Sequence, residues 1–96
     1  MITVFATVTA KDGSESKVKE ALLALVNPTR QESGCIEYHF YQGQDNPCEF
    51  VCFEEWESRS HLDRHMQTNH LRACLAKIEV WLGKPVSMII SDKISA

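Results

Sequence analysis

Cys35-Ile36-Glu37-Tyr38-His39-Phe40-Tyr41-Gln42 and, after a short polar stretch, Glu49-Phe50-Val51-Cys52-Phe53-Glu54-Glu55-Trp56-Glu57 decide the fold. Both runs are rich in Ile, Val, Tyr and Phe, and Gln44-Asp45-Asn46-Pro47 between them is turn chemistry. Two such runs joined so briefly form an antiparallel hairpin. Upstream, residues 2–10 alternate: Ile2, Val4, Ala6 and Val8 share one face, and Thr3, Phe5, Thr7 and Thr9 the other. That is a strand. Lys11-Asp12-Gly13-Ser14 is a turn in which Ser14 is placed to cap a helix. Val18, Leu22, Leu25 and Val26 then recur at helical spacing, mostly opposite Lys17, Lys19 and Glu20. Asn27-Pro28 predicts a kink, with Asn27 capping a second piece whose first residue is Pro28 and which ends at Gly34.

Downstream of the hairpin, Ser58 caps a helix that carries Leu62, His65 and Met66 on one side. Thr68 starts another, with Leu71, Cys74, Leu75, Ile78 and Leu82 as its apolar stripe, stopped by Gly83 and Pro85. Residues 86–90 form the last strand. The order is β-α-β-β-α-β, the ferredoxin-like α+β arrangement, whose helices cover one face of a four-stranded antiparallel sheet. Phe5, Val51 and Phe53 point to the other face. An uncovered apolar sheet face usually marks an interface, so a homodimer through sheet faces is expected.

The chain has 96 residues, which predicts a single domain over residues 1–96. Its core is modest, because a chain this size buries only about 60–70% of its unfolded surface. Net charge is −3 and no basic block occurs, which argues against nucleic acid as the main partner. No run approaches the ~20 apolar residues that cross a bilayer, so no membrane partner is expected. Met1-Ile2-Thr3-Val4 lacks a basic leader pattern, and a cytoplasmic protein is expected. Cys35, Cys48, Cys52 and Cys74 form no CxxC pair, and Cys48 and Cys52 would lie roughly 13 Å apart along a strand. They read as reduced, core-filling thiols.

The stretch Glu54, Trp56, Glu57, Ser58, Leu62, His65, Thr68 and His70, with Pro28-Thr29-Arg30, Glu32, Gly34-Cys35 and Tyr38 upstream, resembles the antibiotic biosynthesis monooxygenase family, particularly its quinol monooxygenases. The resemblance covers nearly the whole chain. It implies a dimeric α+β barrel and oxygen chemistry without a bound cofactor. The same fold also hosts haem-degrading enzymes and isomerases or lyases of small molecules, so fold alone does not choose among them. The haem-degrading relatives place an Asn on the first strand, where this chain has only Thr3, Thr7 and Thr9 as polar residues.

No phosphate loop or dinucleotide fingerprint is present. An oxygenase of this kind needs an apolar pocket, a base and donors for the substrate anion. His70, near the start of the helix capped by Thr68, is the leading base, because the positive helix end disfavours imidazolium. It also reads as a ring that only hydrogen-bonds the turn. His65 shares a face with Leu62 and is a second candidate, or a buried histidine paired with a carboxylate. Glu54 and Trp56, two apart, share a strand face with Phe50 and Cys52. Glu54 is placed to orient a histidine or to pair with Arg30, and Trp56 to stack on an aromatic substrate. Tyr38, Phe50, Leu62, Met66 and Arg30 complete the expected binding wall. His61 and His65 are four apart but lack a third ligand, so no metal is expected. The expected partners are a small aromatic substrate, molecular oxygen and a second copy of the chain. The alternatives are a non-catalytic dimeric binder of quinone-like molecules, an isomerase or lyase, and a haem-degrading protein.

Overall fold

The computed structural model describes residues 1–96. Strand β1 (Ile2–Thr9) is followed by α1 (Glu15–Leu23), α2 (Val26–Arg30), β2 (Cys35–Gln42), β3 (Glu49–Trp56), α3 (Arg59–His65), α4 (Asn69–Ile78), a 3-10 turn (Glu79–Trp81) and β4 (Ser87–Ser91). The sheet is antiparallel in the order β2-β3-β1-β4. This is the expected ferredoxin-like α+β arrangement. No helix is long and apolar enough to cross a membrane.

Register sorts the two sheet faces into cross-strand rows. On the inner face, Tyr38, Glu54, Val4 and Ile90 form one row, and Phe40, Cys52, Ala6 and Met88 the next. Ala6 and Cys52 are small, so the middle of the second row leaves room beneath the helices. Val18, Ala21 and Leu22 of α1 and Leu71, Cys74 and Ile78 of α4 close the core from above. On the outer face one row runs His39, Phe53, Phe5, Ile89. Phe5 is 44% exposed and Ile89 65%. A bulge at Ile36, between Cys35 and Glu37, keeps both Cys35 and Tyr38 on the inner side although their numbers differ in parity.

Several local expectations are corrected. The first helical region breaks at Ala24-Leu25, not at Asn27. Leu25 N–H donates to the Leu22 carbonyl, a tight turn, and Pro28 falls third in α2. That position lies in the first helical turn, where an N–H has no intrahelical partner, so proline costs little there. The helix ends at Arg30 rather than at Gly34. Ser14 starts α1 without a side-chain cap; the Glu15 carboxylate instead accepts from Gly13 N–H. Leu82 lies beyond α4 and pairs with Ala10 as an isolated bridge. The last strand sits one residue later than expected. Ser58 and Thr68 do cap α3 and α4, accepting from His61 N–H and Leu71 N–H.

Gly34 turns the chain into β2 with φ +84°, and a Cβ there would sit 2.2 Å from His61 Cγ. Gly13 has φ +86° and open space around it. Urea denaturation of Gly13→Ala should show the cost of left-handed backbone alone, about 1–2 kcal/mol. Gly34→Ala should lose clearly more, because the His61 ring must also move. Equal losses would contradict the close approach.

Candidate active site

Glu54 lies on the inner face of β3, where its neighbours are apolar and solvent is excluded. A carboxylate buried this way needs partners. Trp56 N–H (Nε1) donates to Glu54 Oε1 at 3.0 Å, from two residues along the same strand face. His65 Nε2 approaches the same oxygen to 3.9 Å, beyond hydrogen-bond length. Arg30 is not a partner. Its guanidinium donates twice to the Tyr38 carbonyl, at 2.8 and 3.1 Å, and contacts His39 Nδ1 at 3.1 Å.

His65 ends α3, and its side chain is 2% exposed. Its ring packs 4.7 Å from Trp56 and 5.7 Å from Tyr38, centroid to centroid. Its Nδ1 lies 2.9 Å from Glu32 Oε2, and His70 Nε2 lies 2.7 Å from the same oxygen. An ionised carboxylate only accepts, so both rings present N–H to Glu32: His65 through Nδ1 and His70 through Nε2. The chain of groups is therefore Trp56, Glu54, His65, Glu32, His70. Glu32 was not among the residues expected to form the site. It stands on the connection between α2 and β2, 33 residues before His65, and no local spacing links them. The only sequence sign was its place in the family-like stretch.

The two ends of this chain meet different surroundings. Beneath the helices is an apolar cavity of about 70 Å³, floored by Ala6 and Cys52 and walled by Tyr38, Phe40, Met66 and Met88. Glu54 is the one charged group on its lining. At the other end, Glu32 borders an open polar cavity of about 290 Å³ with Ser33, Arg64, Gln67 and Thr68. His70 also lines a groove beside Ala21, Ala73 and Lys77. The structure thus brings Glu54, Tyr38 and Met66 to one cavity, with His65 and His70 behind Glu54. Trp56 and Leu62 are fully enclosed around Val4 and do not line that cavity. Phe50 is buried beside another groove, with Leu22 and Leu23. His61 turns away from His65, its Nδ1 2.8 Å from Ser58 Oγ.

The buried carboxylates and low polarity disfavour further negative charge. Burial, then Cys52 and Glu54, pushes the Tyr38 phenol up, and burial with Glu54 does the same to the Cys52 thiol. Cys35 is pushed up to about 11 by burial and then by Glu32 and Glu54. Cys35 is the partly exposed thiol, so iodoacetamide reports on it. Its labelling rate should still climb about tenfold per pH unit between about pH 9 and 10, since the thiolate is the nucleophile. A rate that levels off near pH 9 would contradict this.

Removing the Glu32 carboxylate leaves His65 Nδ1 buried without its partner. Glu32→Ala should therefore lose about 1–3 kcal/mol in urea denaturation. A neutral result would mean that His65 finds another acceptor.

A model of the antibiotic biosynthesis monooxygenase family matches residues 1–77. The chain belongs to that family. It is 37% identical over 76 residues to the uncharacterized protein sll1783 of Synechocystis, covering 75% of this chain and 52% of that one. The chain thus spans about half the length of that relative. It is 30% identical over 84 residues to the probable quinol monooxygenase YgiN of Escherichia coli, covering 76% and 80% of the two chains. A crystal structure of an antibiotic biosynthesis monooxygenase superposes with TM-score 0.93 at 29% identity, covering 99% of this chain and all of the other. Family and relatives together support a monooxygenase-like role.

Proposed function

We propose that this protein is a cytoplasmic monooxygenase that oxidises a quinol or polycyclic phenol with molecular oxygen and no bound cofactor, in the cavity that Glu54 lines. The observation that carries this reading is a lone carboxylate on an apolar cavity, backed by a line of imidazole and carboxylate groups that ends at the surface.

Glu54 takes the proton of the substrate hydroxyl. The resulting anion is electron-rich enough to pass one electron to oxygen. Radical and superoxide combine at a ring carbon that carries hydrogen, forming a C–O bond. The peroxide takes a proton, the ring C–H proton leaves, and the O–O bond breaks. One oxygen stays on the ring, giving a hydroxyquinone, and the other departs as water. The substrate supplies all four electrons. His65 receives the proton from Glu54 once the 3.9 Å gap tightens, as catalytic contacts commonly do with substrate present. His65 gives its Nδ1 proton to Glu32, which releases it into the open polar cavity while His70 Nε2–H holds the carboxylate in place. The cavity is too small for a bicyclic ring as it stands, and Met66 and Met88, with flexible thioether chains, are the walls that yield.

Glu54→Gln keeps the size of the side chain and an acceptor for Trp56. Oxygen uptake with a naphthoquinol should fall about 10²–10⁴-fold. His70→Ala should lower kcat at least about tenfold with little change in KM, and added imidazole should restore part of it. No uptake above the buffer rate by the wild type would overturn the reading. Tryptophan quenching by the quinol without turnover would favour a non-catalytic binder.

The outer row of Phe53, Phe5 and Ile89 supports a homodimer through sheet faces, the second part of this proposal. Analytical ultracentrifugation should show a dimer for the wild type and a monomer for Phe5→Lys. A monomeric wild type at high micromolar concentration would contradict it.

A further inference from the structure

We propose that Glu32, His65 and His70 form a binding site for one divalent transition-metal ion of the zinc class, and that the bound ion blocks turnover. The binding claim stands on geometry alone; the effect on turnover rests on the oxygenase reading above.

The donor atoms of the three side chains lie within 4.8 Å of one another. Two imidazole nitrogens and one carboxylate oxygen suit zinc and its neighbours rather than magnesium or calcium, which take oxygen ligands. Metal–ligand bonds of about 2.0–2.2 Å need donors slightly further apart than hydrogen-bonded ones. Glu32, on a connection rather than in a helix or strand, is the ligand that can shift. The ion would replace the two N–H protons that His65 Nδ1 and His70 Nε2 now give to Glu32.

The surroundings match such a site. His65 would bind through Nδ1 and turn its Nε2–H to Glu54, which Trp56 holds in place. A carboxylate behind a ligating imidazole is the usual support for a metal-bound histidine. The polar cavity beside Glu32 gives an entry path and room for water on the open coordination positions. Arg64 on that cavity and the positive start of α4 oppose a cation. The ion must therefore gain its affinity from nitrogen, which again favours zinc over hard cations. With the ion in place, neither imidazole nitrogen on the Glu32 side can carry a proton, and the route from Glu54 to solvent is cut.

The test is titration calorimetry of zinc into the metal-free, untagged full-length chain, with cobalt absorption as a second readout. One saturable site per chain is expected. His70→Ala and the isosteric Glu32→Gln should each weaken it at least about tenfold. The cobalt visible bands should be lost in His70→Ala. His39→Gln, which removes the half-exposed histidine paired with Glu37, should bind as the wild type does. Circular dichroism confirms that each variant is folded. No saturable binding, or binding that survives both His70→Ala and Glu32→Gln, overturns the site. Zinc should also suppress quinol oxidation, and a chelator should restore it. Binding with no quinol oxidation by metal-free protein would sink the oxygenase reading and leave the site standing. Binding with undiminished oxidation would overturn the block.

Discussion

A carboxylate on the inner face of β3 cannot stay in an apolar interior without partners, and the arrangement around Glu54 follows from that constraint. Trp56 answers it from the same strand, because side chains two apart share a face. Its indole is then enclosed by Val4 of the neighbouring strand β1 and by Leu62, which draws α3 against the sheet. His65, at the end of α3, is brought to the same carboxylate and packs on the indole. The corner between α3 and α4 is fixed in turn by the Thr68 cap and by Glu32, which holds His65 and His70 with one oxygen. Polar groups that need satisfaction thus determine where α3, α4 and the α2–β2 connection sit.

The same constraint separates a dry end from a wet end. Ala6 and Cys52 are small residues in the middle of the sheet, and the space they leave is bounded by Tyr38, Met66 and Met88. Glu54 is the only charge that reaches it. Glu32 and His70 lie on the far side of His65, Glu32 on a polar cavity and His70 on a mostly apolar groove, both open to solvent. In the proposed reaction the dry end deprotonates the substrate and the wet end disposes of the proton. A zinc-class ion at the wet end would use the same lone pairs for another purpose, so metal and proton compete for one set of atoms.

Much of the fold was legible in the sequence, because strand alternation and helical stripes are local signals. The hairpin of β2 and β3 and the apolar stripe of α4 are cases. So are the outward turn of Phe5 and Phe53 and the caps at Ser58 and Thr68. What was not legible depends on distance along the chain or on backbone detail. Asn27-Pro28 reads as a break, yet the chain turns at Ala24-Leu25, since proline is accommodated within the first turn of α2. The bulge at Ile36 has no residue signature in the run around it. His65 and His70 could be placed at one corner from their five-residue spacing and the Thr68 cap. Glu32 could not, because only the packing of the α2–β2 connection against that corner brings it there. Arg30, expected near Glu54, is held by the Tyr38 carbonyl instead, a backbone acceptor that side-chain patterns do not show.

The most direct measurement is a crystal structure of the protein soaked with an unreactive phenol of quinol shape. The phenol should lie in the hollow over Ala6 and Cys52, its hydroxyl hydrogen-bonded to the Glu54 carboxylate, with His65 Nε2 drawn within hydrogen-bond reach of that carboxylate. A ligand bound elsewhere, with Glu54 still touching only Trp56, would contradict the account.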